Sequence, residues 1–322
     1  MQATLSAIVV TPGSCRQVVP LLRRLSAQSM RERMEIVFVT TTLAELEPDE
    51  NLLNVFSCWK AVPVGRLVSM AASRAAGVRA ASCAYIVFTE QHCFPEDTWA
   101  QAIVDSFENH RADVVGPVME NANPKLSLSW TNLCIEYGHW MAPHPGGLMD
   151  HLPGHNSAYC RDQLLALEDG LEAAIESEFA LHASWHAQGR RLWLEPGARV
   201  HHVNMTNLPA HLRAACAFQR PWANSRAKDW TWTRRILYAL SWPLIPIVRL
   251  PRVAGDMIRA GKGATIPRML PAVIAGLLAS AFGEFLGYLG SVGKSHAVLL
   301  EVEIYRERFL SPKDTGGLAL FR

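Results

Sequence analysis

Glu90 and His92 stand two residues apart in the run Glu90-Gln91-His92. In extended chain, residues i and i+2 point the same way, so a carboxylate and an imidazole at this spacing can converge on one cation. A third ligand must come from further along the chain, and the adjacent pair His201 and His202 supplies candidates. Such a mixed set suits Mn²⁺ somewhat better than Mg²⁺, which prefers an all-oxygen shell. Glu178 and its near competitor Glu176 lie in a stretch of helical character, and a carboxylate so held can take a proton as a general base. Gly154 and Asn156 flank His155 in a turn-prone run; glycine permits close backbone approach, and Asn reads hydroxyls with a donor and an acceptor. Plainer readings stand beside these: a polar strand terminus for Glu90 and His92, a solvated helix carboxylate for Glu178, an ordinary turn for 154–156.

The elements that must position these residues follow from the pattern. Residues 85–88 have the β-branched and aromatic content of a buried strand, and Pro95 closes the polar segment behind it. Glu90 and His92 are therefore expected just past the carboxyl end of a strand, where ligands bind in open α/β sheets. Residues 5–11 form a strand broken by Pro12-Gly13, and Val18, Leu21, Leu22 and Leu25 recur at helical spacing. A second strand is expected at 35–39, a weaker third at 53–56, and another at 114–119. An alanine-rich helix is expected at 67–81, carrying Arg74 and Gly77, and a further helix at 99–107. Alternating strand and helix predicts an α/β, mostly parallel, doubly wound sheet. Residues 121–156, rich in Asn, Pro, Gly and His, read as a long loop region. A helix at 173–188, a strand at 191–194 ending before Glu195-Pro196, and a strand at 200–204 complete this part.

The chain has 322 residues, enough for one large domain or for a domain with an appendage. Its 31 basic and 29 acidic residues leave a net charge of +2, which gives no general case for nucleic-acid binding. Seven cysteines without a Cys-x-x-Cys pair indicate neither a disulfide framework nor a zinc ribbon, so a reducing cytosol is expected. The first residues lack the basic flank and cleavage site of a signal peptide, and export by that route is not expected. After residue 208 the composition changes. Residues 236–250 and 269–290 are strongly apolar, and 226–268 holds nine Lys and Arg against two Asp, a net +7. Trp222, Trp230, Trp232, Tyr238 and Trp242 crowd the entry to the first apolar stretch, as in an interfacial belt. At 15 residues with Pro243 and Pro246 inside, that stretch is a poor span; the second, of 22 residues, contains Glu284. The expectation is a boundary near 208, with 1–208 as the α/β domain. Residues 209–322 would be a helical region lying interfacially or re-entrant on anionic lipid, peripheral or monotopic. The plainer alternative is a set of buried helices in a soluble oligomer, and self-association is left open.

With these residues in view, the first two-thirds resembles an inverting family 2 glycosyltransferase of the GT-A fold. The matching pieces are Ser6-Ala-Ile-Val-Val-Thr-Pro, Glu35-Ile-Val-Phe-Val, Arg74-Ala-Ala-Gly-Val-Arg-Ala-Ala, Pro153-Gly-His-Asn-Ser-Ala-Tyr-Cys-Arg, the helix with Glu178, and Pro196-Gly-Ala-Arg-Val-His-His. Their order and separations over roughly 200 residues carry the likeness. The resemblance implies a nucleoside diphosphate sugar donor, a lipid-linked or glycan acceptor, and placement on the cytoplasmic face of the cell membrane. It further implies Glu178 as catalytic base, donor contacts from Thr11, Thr40, Arg74, Glu90, Gly154 and Asn156, and a divalent metal on Glu90, His92 and His202. The chain departs from the pattern where Glu90-Gln91-His92 replaces the usual Asp-x-Asp. Thr40 and Thr41 stand where an Asp commonly meets the nucleobase, and Arg74-Ala75 replaces an Arg-Asn pair. These departures motivate two rivals: a catalytically silent domain kept as a binding or scaffold subunit, and a nucleotidyltransferase.

Overall fold

Strands β1 (Leu5–Thr11) and β2 (Met34–Thr40) are buried along their whole length, as parallel strands covered on both faces must be. They belong to one sheet with β3 (Cys58–Pro63), β4 (Tyr85–Phe88), β5 (Cys93–Pro95), β6 (Val114–Asn121), β7 (Gly147–Leu148), β8 (Ala158–Cys160) and β9 (Leu192–His202). The order is β3-β2-β1-β4-β8-β6-β9-β5, with β7 against β9. β3, β2, β1 and β4 are mutually parallel, whereas β8 runs antiparallel to β4 and β6, so the sheet is mixed in its second half. The structure, a computed structural model, describes residues 3–315. Within that range the chain divides into two units: 3–120 with 144–201, and 121–143 with 202–315. Against a boundary at 208, this division puts 121–143 and 202–208 with the helical unit.

The two ends of the parallel strands are built differently. At the amino end, Ser6 lies opposite Glu35 in the β1–β2 register and donates to its carboxylate at 2.5 Å. The Ser82 amide and Lys60 Nζ approach the same group at 2.8 Å each. Burial pushes the Glu35 carboxyl up, but the hydrogen bonds from Lys60, Ser6 and Ser82 outweigh it and hold it below the ordinary range. At the carboxyl end the strands open into the loops after Thr11, Thr40 and Phe88. The helix Met70–Ala80 links the two ends: Ser69 caps it by accepting from the Ala72 amide, and Gly77 lets it lie close on the sheet. A Cβ at Gly77 would come within 2.6 Å of Ile8 Cγ2 and 3.2 Å of Val39.

Four expectations differ. Residues 121–156, read as a loop region, hold the helix Ser127–Tyr137. Residues 53–56 are not a strand: Asp49 caps a short helix, Glu50–Leu53, and the third strand follows at Cys58–Pro63. The helix expected over 173–188 is two, Leu171–Glu176 and Glu178–Ala187, broken at Ser177, whose backbone is non-helical (φ −124°, ψ 59°). The strands expected at 191–194 and 200–204 are one, β9, which runs through Pro196.

In the second unit, Ile266–Tyr288 is the central helix, packed by Leu208–Arg226, Ser127–Tyr137, Ile245–Arg259 and Trp232–Leu240. Gly283 and Gly287 make its closest seam, since a Cβ on either would run into the backbone of Cys216 or Arg220. By length and composition Gly263–Tyr288 could cross a membrane, yet 44% of its apolar window is buried inside the unit. Trp232–Leu240 and Trp242–Arg259 form a pair bent by 40°.

Candidate active site

β4 ends at Phe88, and the turn behind it places Glu90, His92 and Cys93 together, with ligand atoms within 4.8 Å of one another. Glu90 is buried. Its Oε2 accepts from Asn156 Nδ2 at 2.6 Å and from Cys93 Sγ at 3.1 Å. Its Oε1 faces His92 Nε2 at 4.0 Å and His155 Nδ1 at 3.9 Å. Asn156 and Cys93 thus hold one oxygen and turn the other toward the two imidazoles.

The break at Ser177 gives Glu178 the first position of its helix, where it is buried, while Glu176 is exposed. Arg74 Nη1 lies 3.4 Å from Glu178 Oε1, and His155 Nε2 lies 3.4 Å from Oε2. Arg74 also stands 2.9 Å from His155 Nδ1; a guanidinium only donates, so Nδ1 accepts and the ring N–H is on Nε2, facing Glu178. Burial pushes the Glu178 carboxyl above its ordinary value; His155 and Arg74 pull it down, and Glu90 and Glu176 push it up. Arg74 is itself buried, its guanidinium 5.4 Å from the Phe88 ring centroid. One turn further along, His182 anchors the helix. Its Nδ1 accepts from the Leu152 amide at 3.3 Å and its Nε2 lies 3.0 Å from Tyr159 Oη; burial drives its pKa down to about 3, so it is neutral.

Of the sequence candidates, the fold brings together Arg74, Glu90, His92, Gly154, Asn156 and Glu178. Gly154 is needed there because a Cβ would occupy the space of the Glu178 carboxylate. Thr11 and Thr40 are fully buried, and their hydroxyls bond to the carbonyls of Ser14 and of Gly13 and Thr42, so they shape the loops at the strand ends. His202 falls in the second unit, with Nδ1 2.8 Å from Asn204 Oδ1 and its ring 4.8 Å from that of Tyr137. His201 is engaged with carboxylates, 3.1 Å from Glu96 and 3.9 Å from Glu120. Sequence reasoning missed Cys93, although its place three residues after Glu90, in a turn, could have signalled it. It also missed that Arg74 serves Glu178, which no spacing reveals at a separation of 104 residues.

Residues 60–167 match the model for Glycosyl transferase family 2, a stretch that holds Arg74, Glu90, His92 and 154–156. No curated protein matches. Among solved structures, the chain is similar to S. aureus TarS 1-349, at 14% identity and a TM-score of 0.47 over 89% of this chain and 92% of that one. It is also similar to GalNAc-T7 with UDP, GalNAc and Mn²⁺, at 16% identity and a TM-score of 0.46 over 63% of this chain; the match spans 43% of the GalNAc-T7 chain. The matched stretch, about a third of the chain, and the mixed α/β sheet it lies in make this part of the chain similar to the family 2 glycosyltransferases of the GT-A fold.

Proposed function

We propose that the first unit transfers a sugar from a nucleoside diphosphate donor to an acceptor hydroxyl with inversion at the anomeric carbon. The observation that carries this is the buried Glu178 carboxylate, held by Arg74 and His155 beside the Glu90 cluster at the carboxyl ends of the parallel strands. Glu178 accepts the acceptor's proton as its oxygen attacks, and the diphosphate leaves from the opposite face. Arg74 and the His155 N–H fix the carboxylate's direction. Asn156 orients Glu90. Glu90 and His92, with Cys93 beside them, present a carboxylate and an imidazole that fit a divalent cation, Mn²⁺ or Mg²⁺. Such an ion, when bound, neutralises charge on the diphosphate. A lipid-linked or glycan acceptor and action on the cytosolic side, where nucleotide sugars are made, complete the reading.

Calorimetric titration of UDP and GDP with and without Mn²⁺ tests the donor site. Metal-dependent binding that is lost on Glu90→Ala with His92→Ala is expected; absence of binding under every condition would overturn the reading in favour of a silent domain. Glu178→Gln should keep nucleotide binding and lower turnover by about 10²- to 10⁴-fold. Release of pyrophosphate in place of nucleoside diphosphate would assign nucleotidyl transfer.

A further inference from the structure

The helix Ile245–Arg259 is apolar on two faces, one turned inward and one outward. Its inner face sets Val253, Ala254 and Met257 against Met269 and Val273 of the central helix. Its outer face, continued from Leu244, carries Ile247, Val248, Pro251 and Ile258 at helical spacing, and nothing in the second unit covers it among the described residues. Trp232–Leu240, across the 40° bend, behaves the same way, with Ile236, Leu237 and Leu240 outward. Leu237, Leu240, Ile247 and Val248 are each between 65% and 68% exposed. The central helix adds a stripe at every fourth residue, Leu270, Ile274, Leu278 and Phe282, and the Trp242 ring meets Phe282 edge-on at 6.1 Å. Trp242 therefore joins the stripes into one surface. Water-soluble proteins rarely expose continuous apolar patches of this kind without a partner.

The border of the surface is cationic. Arg234 lies over the Trp230 ring at 4.1 Å, Arg235 over Trp232 at 5.3 Å, and Arg226 over Trp222 at 5.2 Å. Arg226 gives one N–H to Tyr288 Oη at 3.0 Å and Arg235 gives one to the Lys228 carbonyl at 3.5 Å, and a guanidinium has five N–H donors, so donors remain for phosphate oxygens. The two acidic residues of 226–268 do little to offset it: Asp256 is paired with Arg259 at 3.4 Å, which leaves Asp229 alone. An isologous dimer would lay this border against its own copy and bring like charges together. A phosphate-bearing lipid surface satisfies both the apolar face and the charge.

We propose that the outer face of the bent pair Trp232–Leu240 and Trp242–Arg259 seats on an anionic bilayer. The apolar ridge lies among the acyl chains and the arginines at headgroup level, while Ile266–Tyr288 stays packed as the unit's core helix. This inference is independent of the glycosyl-transfer reading.

Flotation of the full-length protein with phosphatidylcholine vesicles, and with vesicles containing roughly a third phosphatidylglycerol, tests it. Expected is flotation with the anionic vesicles, abolished by Leu237→Glu with Leu240→Glu. Arg234→Gln with Arg235→Gln should weaken partitioning about twenty- to thirtyfold, as two interfacial charges would. Ile247→Gln with Val248→Gln is the milder second pair should the Glu pair perturb folding, which circular dichroism reports. Three results would overturn the proposal: no flotation with either vesicle, flotation indifferent to all three pairs, or a dimer that the Glu pair dissociates in a protein that binds no vesicles.

Discussion

The contact between Gly154 and Glu178 makes one backbone position a determinant of the carboxylate's place. Gly154→Ala puts a methyl group where the Glu178 side chain lies, and the contact reaches Cβ as well as the carboxylate, so the side chain as a whole must shift. The expected outcome is unchanged nucleotide affinity by calorimetry with turnover reduced in the direction of Glu178→Gln. A shift of about 1 Å in a reacting group costs on the order of 10²-fold. The pH profile reports the same residue. A base must be ionised to accept a proton, and burial lifts the Glu178 carboxyl, so the acidic limb of kcat/KM should lie above the ordinary carboxylate range. Arg74 pulls that value down, and Arg74→Met should move the limb to higher pH; a limb that stays in place would remove Glu178 as the titrating group.

At the scale of elements, β1, β2 and β3 are held at their amino ends by the Glu35 cluster, away from the chemistry. Glu35→Gln should destabilise the protein by roughly 2–3 kcal/mol in urea unfolding, the worth of hydrogen bonds to a buried charge. Because the folded carboxyl titrates below the unfolded one, its stabilisation is complete above the unfolded value and is lost as pH falls through the folded value. The variant should therefore lack that part of the acid sensitivity. Gly283→Ala in the central helix should cost about 1–3 kcal/mol by overpacking, read in a thermal melt. β1, β2 and β4 were legible because they are buried strands that read as continuous apolar runs bounded by Pro12-Gly13 and by the polar turn after Phe88, whereas the parallel edge strand β3, exposed at both ends and half-buried between, was misplaced at 53–56. β8 was not legible, since three residues, Ala158–Cys160, show no period, and their antiparallel pairing is decided by partners more than 40 residues away. The break at Ser177 escaped for the opposite reason: periodicity continues through it, and only backbone geometry ends the first helix. Glu178 was found through the family resemblance, by counting back from Gly189, and its burial where Glu176 is exposed rests on that break.

For the whole molecule, the packed glycine seam and the exposed ridge make opposite demands on Ile266–Tyr288, and topology decides between them. In a monotopic arrangement, cysteines introduced at Lys262 and Lys294, on either side of this helix, should both react with an impermeant maleimide from the cytosolic side. A spanning helix would separate them. The labelling is read peptide by peptide, because Cys58 is itself exposed. With its apolar ridge laid on a bilayer, the enzyme would meet a membrane-borne acceptor by diffusion in two dimensions. Its rate would then follow the mole fraction of acceptor in the lipid and fall when inert lipid is added at constant bulk acceptor concentration.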